Sequence, residues 1–211
     1  MNVLLVNGSP HANGCTFTAL EEVAKTLNTE GIETQIFQIG TKPLAGCIAC
    51  KTCAKSGRCS FSDGVNEFLD LAKDVDGFIF GSPVHYAAAS GAITSFMDRV
   101  FYADLLSGRK SFYLKPAAAV VSARRAGTTA TFDQLNKYFT ISEMPIIASR
   151  YWNMVHGATA EDVKKDLEGL QIMRVLARNM AWFLKCKEVG TKAGVQLPVK
   201  EENIYTNFIR E

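Results

Sequence analysis

The sequence predicts an α/β protein of the doubly wound kind: a five-stranded parallel sheet in the order 2-1-3-4-5, with helices on both faces. Three observations predict it. Short runs of apolar, β-branched residues recur without polar alternation, as expected of strands buried on both faces. Stretches of helical periodicity separate them, as parallel crossovers require. There are five such runs rather than six, which favours this order over a dinucleotide-binding one.

The elements follow in order. The first strand is Val3–Val6, ending at Asn7-Gly8-Ser9-Pro10. A helix over Phe17–Asn28 places Leu20, Val23, Ala24 and Leu27 on one face, and Gly31 ends it. The second strand is Glu33–Ile39. A segment rich in Gly, Lys, Ser and Cys follows, and then a helix over Gly64–Lys73. The third strand, Gly77–Phe80, runs into Gly81-Ser82-Pro83, and a helix spans Ser90–Phe101. The fourth strand is Ala117–Ser122, followed by a helix over Thr131–Tyr138 and a fifth strand at Pro145–Ala148. Thr159 caps a last long helix, with Asp162 three residues on, reaching about Lys187. Apolar residues recur through Ile204–Ile209, a pattern suited to packing on a partner subunit. No repeat or interdomain linker interrupts the chain, so residues 1–211 are expected to form one domain. It carries a cysteine-rich insertion at about 40–63 and a C-terminal helix and tail at about 159–211.

Composition excludes several roles. The net charge is +2 over 211 residues and there is no basic block, so neither nucleic acid nor an anionic membrane surface is an expected partner. MNVLLVNGSP has no basic start and only a four-residue apolar run, unlike a secretory signal. No stretch approaches the roughly 20 apolar residues of a membrane span. A cytoplasmic location is expected, where thiols stay reduced.

In a sheet of this order, ligand binds beyond the carboxyl ends of strands 1 and 3. The loop after strand 1, GSPHANGCTF, offers the hydroxyls of Ser9 and Thr16, the Asn13 amide, Gly14, and the free amides of a helix N-terminus. Such a set suits an anion. With His11 as its sole candidate cation, one phosphomonoester fits better than a polyphosphate, although the same residues are also common turn formers. After strand 3, GSPVHYAAASG places Pro83, His85 and Tyr86 where they would edge a flat ring, and Ala87–Ala89 would permit its close approach. SARRAGTT, after strand 4, adds guanidiniums, a glycine and hydroxyls at the same end. A phosphate at one end of a crevice and a planar ring at the other suit flavin mononucleotide (FMN).

The patterns GSP..NG.T and GSPVHY...SG....FMDR, with the glycine-containing turn after strand 4, resemble the NAD(P)H-dependent FMN reductases. Over roughly residues 1–155 the resemblance implies a flavodoxin-like three-layer sandwich. It also implies FMN with NAD(P)H as co-substrate, and a homodimer or homotetramer. Carried onto this chain, it puts Ser9, His11, Gly14, Cys15 and Thr16 around the phosphate. His11 and Cys15 stand where the family often has Arg and Asn. Pro83, Val84, His85 and Tyr86 would lie against the isoalloxazine and ribityl chain, with Ser90 nearby. Ser122, Arg124 and Gly127 would approach the flavin edge; Arg124 and Arg125 would otherwise reach an NADPH phosphate or face solvent. For Asp98 and Arg99 a structural ion pair and a catalytic role both stand open. The implied activity is passage of electrons from NAD(P)H through FMN to a quinone-like or other small acceptor. No catalytic side chain is assigned, because the flavin carries the chemistry; His11, His85 and His156 are expected to be structural or hydrogen-bonding.

Four of the six cysteines occupy CIACKTCAKSGRC, spaced C-x2-C-x2-C-x5-C at Cys47, Cys50, Cys53 and Cys59. This spacing resembles the iron-sulfur flavoproteins. It implies a [4Fe-4S] cluster on these four thiolates and a second role as an electron carrier with a redox-protein partner. A zinc site and free thiols are the other two readings. The segment is expected at the same end of the sheet as the crevice.

Overall fold

The computed structural model describes residues 1–206 and 208. Its first strand, β1 (Asn2–Asn7), pairs in parallel with β2 (Glu33–Gln38) on one side and β3 (Gly77–His85) on the other. Beyond β3 lie β5 (Ala117–Ala123) and β6 (Met154–His156), while the two-residue β4 (Ala88–Ala89) folds back antiparallel on β3. The sheet therefore has six strands rather than five. Counting only its parallel members, the order β2-β1-β3-β5-β6 is the expected 2-1-3-4-5.

Alternate residues of each strand supply the two faces. Val3, Leu5, Ile79, Ala118 and Val120 pack under α1 (Cys15–Thr29), α6 (Ala160–Lys165) and α7 (Leu167–Lys192). Leu4, Val6, Phe78, Phe80 and Val121 pack under α3 (Gly64–Leu71), α4 (Gly91–Ser107) and α5 (Thr128–Ile141). The second face is dominated by aromatic contacts, with Phe68 touching Phe37, Phe78, Phe80 and Phe96. β2 is an edge strand, which explains how the half-polar ETQIFQ belongs to it.

Several boundaries depart from expectation: α4 runs to Ser107 rather than Phe101, and α5 covers Thr128–Ile141 rather than Thr131–Tyr138. β3 runs five residues beyond Phe80, because Gly81, Ser82 and Pro83 continue to pair with Val120, Val121 and Ser122 of β5. β1 has already ended opposite Gly81, and a proline is tolerated where one side of a strand is unpaired. The fifth strand lies at Met154–His156, not Pro145–Ala148. Ala117 donates to the Pro145 carbonyl and accepts from the Ile147 amide, forming a single bridge before the chain loops away. The last helix is two, broken at Asp166, whose carboxylate caps α7 by accepting from the Gly169 amide at 2.9 Å. The capping box on Thr159 and Asp162 is present as expected.

The apolar stretch Ile204–Ile209 falls partly outside the described residues; within them Ile204, Tyr205 and Phe208 are exposed. Among the described residues no helix is long and apolar enough to cross a membrane.

Candidate functional site

The three loops predicted to share a crevice do share one hydrogen-bonded framework. The Gly8 amide donates to the Gly81 carbonyl at 2.8 Å, closing the first loop on β3. A Cβ at Gly8 would stand 2.6 Å from that carbonyl oxygen, so only glycine allows this approach. The Ser90 hydroxyl donates to the Gly8 carbonyl at 3.0 Å and accepts from the Ile93 amide, so one side chain caps α4 and ties the second loop to the first. Ser82 accepts from the Ser90 amide at 3.1 Å. The Thr16 and Ser122 hydroxyls lie 2.8 Å apart, joining the first loop to the third. Their mutual bond uses one hydroxyl proton and leaves the other free.

Within the first loop, Ser9 is buried, and its Oγ accepts from the His11 amide at 3.1 Å while keeping its own proton uncommitted. The Gln38 amide donates to the Ser9 carbonyl at 2.7 Å and holds the turn. His11 and Asn13 are exposed. Gly14 begins α1, which has no side-chain cap; its first amides are thus without intrahelical or side-chain acceptors. Cys15 turns away from the loop, its thiol donating to the Gly157 carbonyl at 3.6 Å, and burial raises its pKa.

In the second loop, Val84–Ala89 and His85–Ala88 pair as a hairpin whose two turn residues, Tyr86 and Ala87, have φ of 49° and 61°. Two adjacent non-glycine residues in the left-handed region are strained, and such strain clusters at binding sites. Tyr86 and His85 are exposed, and Pro83 and Val84 half-buried. From the third loop Gly127, with φ of 93°, packs on Ala87. Gln134 of α5 accepts from the Ala89 amide at 3.0 Å. Arg124 and Arg125 are exposed and, among the described residues, form no ion pair. Sequence reasoning missed Gln38, Gln134 and Asn153. Asn153 is buried with neither side-chain amide atom partnered, and its carbonyl accepts from the Val121 amide next to Ser122. A buried unpaired carboxamide carries no distinctive sequence signal. The His156 amide donates to Asp166 at 2.7 Å, and its ring stands 4.0 Å from the same carboxylate.

The four clustered cysteines converge as well. Cys47, Cys50, Cys53 and Cys59 all line one hollow, together with Ser60, Phe61, Arg99 and Tyr102. All are free thiols. Between them Ala49 and Lys51 take φ of 53° and 58°, reversing the chain on either side of Cys50. The short helix α2 (Thr52–Ser56) then carries Cys53 inward. Hydrogen bonds from Ser60 and Thr52 lower the Cys50 thiol to about 7, whereas burial raises that of Cys53. Arg99 pairs with Asp63, not with its neighbour Asp98, which instead accepts from the Tyr138 hydroxyl. Burial opposes the Arg99 charge, but Asp63 and Cys59 outweigh it and raise its pKa. Among the described residues no three ligating side chains are close enough to hold one metal ion.

The chain leaves β2 at the crevice end of the sheet, and the hollow lies against α4. Ser90 caps α4 at the crevice, and Arg99 lies nine residues on, about 13 Å along the axis.

The overall architecture has solved counterparts. A flavodoxin, WrbA-like protein from Agrobacterium tumefaciens superposes with a TM-score of 0.63 at 14% identity, over 88% of this chain and 98% of that one. RosB, solved with a bound 8-demethyl-8-formylriboflavin-5'-phosphate intermediate, gives 0.68 at 12% identity, over 100% of this chain and 94% of its own. The fold is therefore flavodoxin-like. A family model described as NADPH-dependent FMN reductase matches residues 1–159. An iron-sulfur flavoprotein of Methanocaldococcus jannaschii is 31% identical over 194 residues, 88% of this chain and 98% of that protein. The chain belongs to the NADPH-dependent FMN reductase family, in its iron-sulfur flavoprotein group, and is an FMN-binding flavoprotein and oxidoreductase.

Proposed function

We propose that the protein is an iron-sulfur flavoprotein that carries electrons between a [4Fe-4S] cluster on Cys47, Cys50, Cys53 and Cys59 and FMN in the three-loop crevice. The observation that carries this reading is the convergence of all four thiols on one hollow beside a buried guanidinium. In a [4Fe-4S] cluster each thiolate takes its own iron, so the sulfurs stand wider apart than around one zinc. The cluster reading therefore rests on the shared hollow and the cysteine spacing, not on a preformed site for one ion among the described residues.

The crevice residues fit the phosphate of FMN. The uncapped amides opening α1 point a row of donors at an anion, Ser9 keeps a free hydroxyl proton, and the Thr16–Ser122 pair keeps another. Gly14 leaves the backbone bare, the Cys15 amide rather than its thiol serves the anion, and His11 stands at the exposed rim. Pro83, Val84, His85 and Tyr86 form the wall for the ring, held by the Gly127 contact and the Gln134 bond. Arg124 and Arg125 add positive charge at the mouth, suited to the phosphate of NADPH. Bound FMN supplies exchange of a hydride with NAD(P)H and of single electrons with a one-electron centre; the protein orients it and excludes water from one face. The physiological acceptor is a redox protein in this reading. In the second reading it is a quinone-like small molecule, favoured by the open rim at Tyr86. A homodimer or homotetramer accompanies both.

Purification under nitrogen with iron, sulfide and flavin analysis tests the assignment. Wild-type protein is expected to contain all three. Cys53→Ser is expected to lose iron and sulfide but keep FMN, because none of the crevice bonds involves the cysteine segment. FMN without iron or sulfide in the wild type, with rapid NADPH oxidation by a quinone, would establish the second reading instead.

A further inference from the structure

Arg99 is 2% exposed and the largest of the fully buried side chains. A guanidinium has five N–H donors, and here each has an acceptor. Nε and Nη2 both donate to the Cys59 sulfur at 3.2 Å. Nη1 and Nη2 donate to the two Asp63 oxygens at 2.7 and 2.8 Å, and Nη1 also donates to the Ala45 carbonyl at 3.3 Å. The Phe61 ring covers one face, 4.7 Å from the guanidinium carbon. A desolvated cation needs an anion beside it. Asp63 meets that need on one edge of the fork, and the other edge is committed to one sulfur. Of the other three cysteines, Cys50 takes a contact from a neutral hydroxyl, Ser60 at 3.4 Å. The only guanidinium in the hollow serves Cys59.

We propose that Arg99 is a positioning residue for the cluster: it orients the Cys59 sulfur and, through two N–H···S bonds and its charge, raises the cluster's reduction potential. The proposal rests on the cluster reading above. One-electron reduction adds one negative charge, which the core shares with its thiolates. Hydrogen bonds and positive charge at a ligand sulfur stabilise that reduced state more than the oxidised one. Asp63 opposes the effect by neutralising the fork from behind. Removing the arginine and removing the aspartate therefore move the potential in opposite directions, which a merely structural ion pair would not do.

The test is an EPR-monitored potentiometric titration of the holoprotein, purified anaerobically, after iron and sulfide are counted per chain. In Arg99→Gln the ratio of reduced to oxidised cluster, at the wild-type midpoint, is expected to fall at least tenfold, about 59 mV for a one-electron couple. Asp63→Asn, which keeps the oxygen that caps α3, is expected to raise that ratio. Arg99→Lys, retaining charge without the fork, falls between wild type and Arg99→Gln. Unchanged midpoints in loaded Gln and Asn variants would overturn the role of Arg99 and leave the cluster reading standing. Wild-type protein without iron and sulfide would overturn both. Should Arg99→Gln lose its cluster, Asp63→Asn decides alone: an upward shift supports the proposal, and an unchanged or lower midpoint ends it.

Discussion

Gly127 lies so close to Ala87 that a Cβ at residue 127 would stand 2.6 Å from the Ala87 Cα. The turn of the third loop thus braces the strained tip of the second. Gly127 also has φ of 93°, so an alanine there meets both a clash and a left-handed backbone. Gly127→Ala is expected to lose about 1–3 kcal/mol of stability and at least tenfold in FMN affinity. Urea unfolding and quenching of flavin fluorescence measure the two. Ala87→Gly should go the other way in stability. It relieves about 1–2 kcal/mol of left-handed strain against about 0.5–1 kcal/mol of added chain entropy.

The Thr16–Ser122 pair separates framework from ligand contact. Thr16→Val and Ser9→Ala are each expected to weaken FMN at least tenfold while leaving riboflavin nearly unchanged, because in the proposed site the lost donors serve the phosphate. Ser122→Ala breaks the same 2.8 Å bond but leaves the Thr16 hydroxyl in place, so its effect on FMN is smaller. Titration of the flavin-free protein with both ligands decides the point. Equal losses for FMN and riboflavin would remove the phosphate from this loop.

Ser90 serves two loops at once. Its replacement by alanine removes the α4 cap and the bond to the Gly8 carbonyl, at a cost of about 1–2 kcal/mol. The melting temperature is expected to fall with or without flavin. FMN affinity falls too, since the first loop loses its tie to the second.

Cys15 is expected to be dispensable for flavin. Its thiol is turned to the Gly157 carbonyl, and only its amide borders the first loop. Cys15→Ala should bind FMN as the wild type does. Burial raises the thiol's pKa, so a larger share of it is protonated at any given pH than in an ordinary cysteine. Alkylation should therefore be slow at neutral pH and accelerate only in the alkaline range. Mass mapping after iodoacetamide treatment across pH reads this directly; rapid modification at pH 7 would contradict it.

Much of the fold was legible because its signals are local. The β-branched runs of β1 and β5, the apolar stripe of α1 and the Thr159–Asp162 box need no distant partner to be recognised. The fifth strand was not legible. Pro145–Ala148 and Met154–His156 both offer apolar residues, and which of them continues the sheet depends on where β5 ends. The helical break at Asp166 was hidden similarly, since an aspartate reads as a cap only once the backbone before it has turned. β4 is two alanines, too short to carry a pattern.

The candidate site divides along the same line. By itself the sequence determined that two Gly-Ser-Pro loops and a glycine turn would follow strands 1, 3 and 4, and that four cysteines would be close along the chain. Both follow from chain order and residue type. Only the tertiary structure decided that Ser90 would bind Gly8, that Thr16 would meet Ser122, and that Gly127 would brace Ala87. It also decided that the cysteine loop would pack against α4 and meet a buried Arg99 paired to Asp63. These are contacts between residues 36 to 106 positions apart. Their strength comes from desolvation and packing, which exist only once the layers have closed.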